Sequence, residues 1–341
     1  MTPRRSRLAL LALPVVGVFA LAGCSGSAAP DTSDASDGSD ALVQIVASTN
    51  VYGQIAQQIG GEFVEVTSIV TSGAQDPHSY EASAQDQLHV KRADLIIENG
   101  GGYDAFLDGL IESSGSTAPV ITAVEFSHSW PENAGHDEEA HDEEDHAAHE
   151  EDDHDEHGHD HIEGFNEHVW YDPHTMAHLA EDIAHELGEL RPEHAAAFEA
   201  NAEDFHTDIE TLETALADIE TAHAGEAVFV TEPVPVYLVT AAGLVDVTPP
   251  AFSEAVEEGQ DVPPATLLEA QRIIRDGTDD GPVRVVIANA QTGGAETTAI
   301  IADAESAEIP VLEFTETLPE GETYISWMQD NIDRLADALN S

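Results

Sequence analysis

Phe205, Ile209, Leu212, Leu216 and Ile219 recur at steps of four, three, four and three residues, and this stripe constrains the chain more than any other feature. Such spacing keeps apolar side chains on one face of a 3.6-residue helix. The pattern reaches back to Phe198 and begins after Arg191-Pro192, so one continuous amphipathic helix is predicted over residues 193–223. It joins two halves, because strand-like and helix-like segments alternate on both sides of it.

In the first half, "LVQIVAST", "FVEVTSIV", "ADLIIEN" and "APVITAV" read as buried strands. Helical segments separate them: "VYGQIAQQIGG" with its glycine stop, a stretch around 83–92, and "YDAFLDGLIESS" after a glycine loop. Met176, Leu179, Ile183, Leu187 and Leu190 then mark a further helix over 173–190. The second half restarts with "AVFVTEPVPVYLVTAAGL", continues through "VRVVIA" and "IPVLEF", and ends in a helix around 323–339. Alternating strands and helices imply parallel sheets covered on both faces. The expected fold is α/β with two lobes, residues 42–192 and 224–341, each a parallel sheet with helices on both faces, joined by the long helix.

Two segments stand outside this pattern. "MTPRRSRLALLALPVVGVFALAGC" has a basic start and a short apolar run, the layout of a secretory signal over residues 1–23. Its end, Leu21-Ala22-Gly23-Cys24, resembles the bacterial lipobox, which implies cleavage before Cys24 and lipid attachment at its sulfur. Cys24 is the only cysteine, so no disulfide forms within the chain. Residues 24–41 are polar and read as a tether. The second segment is "HDEEAHDEEDHAAHEEDDHDEHGHDH", residues 136–161, which has no apolar side chain beyond alanine. With its flanks, 132–163, it reads as a disordered loop inside the first lobe. It carries His136, His141, His146, His149, His154, His157, His159 and His161 among 14 carboxylates. Imidazoles and carboxylates at that density form weak, exchangeable metal sites; an acidic spacer is the alternative reading. The formal net charge of −58 argues against nucleic acid and anionic membrane surfaces as partners.

Metal-ligand chemistry recurs at three places near strand ends or in the loops beyond them: His78 in "QDPHSYE", His168 in "NEHVWYDPH" and Glu232 in "VFVTEP". Singly each is weak, since a lone histidine is commonly a surface residue and a glutamate after a strand commonly a helix-start charge. His174 and His178 stand at i and i+4, where they either chelate from one helix face or form a polar face opposite Met176 and Leu179. No HExxH, nucleophile elbow or phosphate-cradling glycine motif is present, so an enzyme is not expected.

Taken together, "DPHSYE", "HVWYDP" and "VTEPVPVYL", in that order and with the long helix between the last two, resemble the zinc/manganese solute-binding proteins of bacterial ABC importers. The resemblance covers essentially the whole chain after the signal. It implies a metal held between the lobes by His78, His168 and Glu232. A fourth ligand, usually Asp or Glu after a later strand, falls in "VVIANAQTGGAETTAI", where no Asp occurs and Asn289, Gln291 and Glu296 are the candidates. It further implies a monomeric, lipid-anchored receptor on the extracytoplasmic face of the membrane, working with an ABC permease and its ATPase. The implied cargo is Zn2+, with Mn2+ as the alternative. A surface metal buffer or adhesin without a transport role is the competing reading.

Overall fold

Two runs of β-branched residues open the two sheets, and their alternation decides where the core lies. The computed structural model describes residues 41–133, 162, 164–279 and 281–341; Cys24 and the eight histidines of 136–161 lie outside them. In the first half come β1 (Val43–Thr49), α1 (Asn50–Gly60), β2 (Val64–Val70), α2 (Ala84–Val90), β3 (Leu95–Glu98), α3 (Phe106–Ser114) and β4 (Val120–Thr122). The strands pair in parallel in the order β2-β1-β3-β4. Two helices follow, α4 (Pro173–Leu190) and α5 (Ala195–His223). The second half contains β5 (Ala227–Val230), α6 (Val236–Ala241), β6 (Val245–Asp246), α7 (Pro250–Glu257), α8 (Pro264–Asp276), β7 (Val283–Asn289), α9 (Ala295–Ser306), β8 (Val311–Phe314) and α10 (Tyr324–Leu339). Its order, β6-β5-β7-β8, repeats that of the first sheet, again all parallel.

Successive residues of a strand face opposite sides. Val43, Ile45 and Ala47 of β1 and Val228 and Val230 of β5 therefore turn to one shared core, with α1, α4, α5 and α10 packed between the sheets. Val46 and Ile96 face outward, under Val90 of α2 and Leu107 and Leu110 of α3. Phe229, Val283 and Val286 do the same beneath α7, α8 and α9. Both sheets are thus covered on both faces, as strands this uniformly apolar require.

The long helix is the joint. Phe198, Phe205, Ile209, Leu212, Leu216 and Ile219 of α5 are all buried in the shared core, each worth about 1.5–3 kcal/mol of burial. It starts at Ala195, two residues after the predicted position, because Arg191 to His194 turn the chain out of α4. The halves are also tied by return contacts from the C-terminal segment. Asn50 donates to the Leu318 carbonyl (2.8 Å) and accepts from its amide (3.0 Å). Tyr171 donates to the Thr315 carbonyl (2.7 Å) and Tyr324 to that of Trp170 (2.8 Å). Among the described residues no helix is long and apolar enough to cross a membrane.

Candidate metal centre

In each sheet the chain reverses its direction of travel between the first and third strands, so a crevice opens beyond their C-terminal ends. Both crevices face the same cleft. From the first half, Asp76 and Pro77 shape the turn that presents His78: the Asp76 carboxylate accepts from the His78 amide (2.9 Å) and from Ser79 Oγ (2.8 Å). His168 precedes a short turn whose Val169, Trp170 and Tyr171 are sunk in the core, and it is itself only 1% exposed. Asn166 Oδ1 lies 2.8 Å from His168 Nδ1. An amide oxygen only accepts, so Nδ1 carries the proton and Nε2 is left to bind a cation. The Asn166 amide reaches across to the Pro233 carbonyl (3.0 Å), which fixes which way it points.

The glycines after β3 deliver a further residue. Gly100 has φ 76°, and a Cβ there would meet Thr122 Cγ2 at 2.4 Å. Only glycine makes this turn, which Asp104 closes by accepting from the amides of Asn99 (2.6 Å) and Gly100 (2.9 Å). Tyr103 is thereby set edge-on to His78, ring centroids 4.8 Å apart, with its hydroxyl donating to Glu316 (3.2 Å).

From the second half, Glu232 follows β5 and Asn289 ends β7. Asn289 Nδ2 donates to Glu232 Oε2 (2.9 Å) and to Glu316 Oε1 (2.6 Å), and Thr292 Oγ1 also donates to Glu232 Oε2. Donor atoms of His78, His168 and Glu316 all lie within 4.8 Å of one another. A second such grouping, His78, Glu167 and Glu257, shares the same histidine. Glu232 belongs to neither; it sits behind Asn289, 2% exposed, with Oε1 lacking any hydrogen-bond partner. A buried carboxylate oxygen without a hydrogen-bond partner is costly to keep charged unless a cation approaches it.

The three positions expected to supply a fourth ligand take other parts. Asn289 turns its NH2 group, which cannot ligate, toward the two carboxylates. Gln291 spends its oxygen on the amides of Glu316 and Thr317 and on Thr317 Oγ1, at 2.8–2.9 Å, and so holds the Glu316 loop. Glu296, in the first turn of α9, lines the cleft cavity of about 730 Å3. Glu316, outside the stretch singled out in the sequence, brings the carboxylate to His78 and His168.

The charge balance favours a cation. Burial raises the Glu316 carboxyl to about 7, helped by the charges of Glu232 and Asp76 and opposed by hydrogen bonds from Asn289 and Tyr103. Burial, then Glu167, Glu232 and Glu316, push Glu257 to about 9, and burial raises Glu232. Among the described residues no lysine or arginine lines the cavity. Imidazole nitrogens with carboxylates suit Zn2+ and Mn2+ alike.

Comparison with known proteins bears on the family and the fold. The family model described as zinc-uptake complex component A, periplasmic, matches residues 45–338. The manganese-binding lipoprotein MntA of Bacillus subtilis is 25% identical over 174 residues, 50% of this chain and 48% of its own. The chain thus spans about half the length of the first curated relatives it matches. The manganese ABC transporter substrate-binding lipoprotein PsaA of Streptococcus anginosus is 26% identical over 326 residues, 87% of this chain and 89% of PsaA. The solved structure of the laminin-binding adhesin Lmb from Streptococcus agalactiae gives a TM-score of 0.65 at 20% identity, covering 87% of this chain and 99% of Lmb. At that identity the likeness speaks for the two-lobed fold.

Proposed function

The chain belongs to the periplasmic zinc-uptake complex component A family, and from that membership we propose that it is a receptor that captures a divalent transition metal between its lobes and passes it to an ABC importer. The convergence of His78, His168 and Glu316, with Glu232 joined to Glu316 through Asn289, carries this reading. His78, His168 and Glu232 act as ligands, with Glu316 as the fourth; Asn166 and Asn289 orient them. The metal is substrate rather than cofactor, and no catalytic step is assigned. Zn2+ is the proposed cargo, supported by the histidine-rich stretch 136–161, whose weak sites, tethered to the same chain, raise the local metal concentration. Mn2+ is the second reading, favoured by the carboxylates Glu167, Glu232, Glu257 and Glu316 against two imidazoles. The protein acts as a monomer at the extracytoplasmic membrane face, anchored through lipid on Cys24, with a permease and its ATPase as partners.

Native mass spectrometry with competition calorimetry tests this on protein with and without residues 136–161. One tight site that survives the deletion and is lost in His78→Ala supports the receptor, and Zn2+/Mn2+ competition names the cargo. Binding that disappears with 136–161 and ignores His78→Ala means a histidine-rich buffer instead.

A further inference from the structure

The first turns of α4 hold a second convergence of donors, on the face shared with α5. His174 and His178 stand one turn apart, and their Nε2 atoms face each other at 3.2 Å, with the rings 81° apart. Each ring directs its other nitrogen at a carboxylate. His174 Nδ1 lies 3.3 Å from Glu213 Oε1 of α5, and His178 Nδ1 lies 3.5 Å from Glu181 Oε2. The Glu213 carboxylate only accepts, so His174 Nδ1 carries a proton and His174 Nε2 presents a lone pair. His178 Nε2 meets that lone pair at 3.2 Å, either as an N–H donor or as a second ligand to an ion held between the two nitrogens.

The distance fits a metal. Two bonds of ~2.0–2.1 Å to one ion, closing on an N···N separation of 3.2 Å, subtend about 100–105°, near the tetrahedral angle. A carboxylate behind each ligating imidazole is the arrangement that fixes tautomer and ring orientation in metal sites. Glu181 is itself held, its Oε1 paired with His206 Nδ1 at 3.2 Å, and the His128 ring lies over His174 with centroids 4.9 Å apart. The N-terminal end of α4 disfavours a cation, an effect that the two carboxylates beside the rings oppose.

We propose that His174 and His178 form a second site for one divalent transition-metal ion, positioned by Glu213 and Glu181. The side chains of His174 and His178 are 46% and 28% exposed, which leaves the remaining coordination positions open to water. A two-imidazole site follows the usual order of divalent affinities, so it takes Cu2+, Ni2+ and Zn2+ and discriminates against Mn2+. This selectivity is independent of which metal the cleft carries.

The test is residue-resolved carbethoxylation of the full chain, read by peptide mass spectrometry with Zn2+ or Mn2+ added. Zn2+ should protect His174 and His178 together, and Mn2+ neither. His178→Gln should abolish protection at His174 while leaving that of His78 intact. Glu213→Gln should raise the Zn2+ concentration for half-protection by roughly 10–100-fold. Modification of both histidines that ignores Zn2+ means the pair shares a proton, and overturns the site. Protection of His174 that persists in His178→Gln means separate single-ligand contacts, and overturns it equally. Failure at His78 with protection here would count against the cleft receptor and leave this site standing.

Discussion

Glu316→Gln should stabilise the metal-free protein at neutral pH and destabilise the metal-loaded one. The Glu316 carboxyl sits at about 7 when folded against an ordinary 4.5. Below pH 4.5 both folded and unfolded chains hold its proton, and the group is neutral to stability. Between about 4.5 and 7 the folded state keeps a proton that the unfolded chain has lost, so stability falls by up to ~1.4 kcal/mol per pH unit. Above 7 both states are ionised, and the accumulated loss levels off at about 3 kcal/mol. Glutamine does not titrate, still accepts from Asn289, and donates to the Tyr103 hydroxyl in place of accepting from it. In chelator, thermal unfolding should therefore show little difference between the two proteins at pH 5. At pH 8 the variant should be the more stable, by up to roughly 3 kcal/mol. Saturating Zn2+ should invert the order, because the variant lacks a ligand. A variant destabilised equally at pH 5 and pH 8 in chelator would refute the buried-charge argument. An unchanged response to Zn2+ would remove Glu316 from the site.

Asn166→Ala should weaken metal binding about 10–100-fold by freeing the His168 ring, with a smaller effect on unfolding in chelator; calorimetry on both proteins checks it. Metal affinity should fall as pH drops below about 7, because Glu316 takes up the proton that a bound ion displaces. Titrations in two buffers of different ionisation heat should register that released proton. Phe205→Ala should cost about 3–5 kcal/mol, and because α5 is sunk in one shared core, denaturant unfolding should remain a single transition rather than splitting into two.

The fold was legible because parallel sheets write themselves as short apolar runs, and because α5 announces itself through five residues at helical spacing. Each lobe's strand order was not, since "VRVVIAN" and "IPVLEF" look alike and nothing in either says which strand it lies beside. That gap is why Glu316 does not stand out in the sequence. β7 and β8 pair in register, Asn289 opposite Phe314, so the loops after both strands open at the same point of the cleft. Asn289, Gln291 and Glu296 lie at or just beyond the end of β7, while Glu316, two residues past the end of the neighbouring strand, reaches His78 and His168. The stretch after β7 instead supplies the amides that hold the carboxylates: Asn289 donates to Glu232 and Glu316, and Gln291 pins the loop that carries Glu316.

The same limit governs the helix histidines. Their i, i+4 spacing permits a chelate, but spacing alone leaves it balanced against a plain polar face. Glu213 tips the balance from 39 residues away, since a carboxylate on α5 decides which nitrogen of His174 keeps its proton. In both places the candidate residue types are visible in the sequence, whereas which of their nitrogens keeps a proton is set by a contact such as Asn166 on His168 or Glu213 on His174. What a pattern of histidines can do therefore depends on strand order and helix pairing. Side chains whose oxygens are already spent on neighbouring residues, Asn166 and Asn289 above all, are as much part of the cleft's chemistry as His78 and His168.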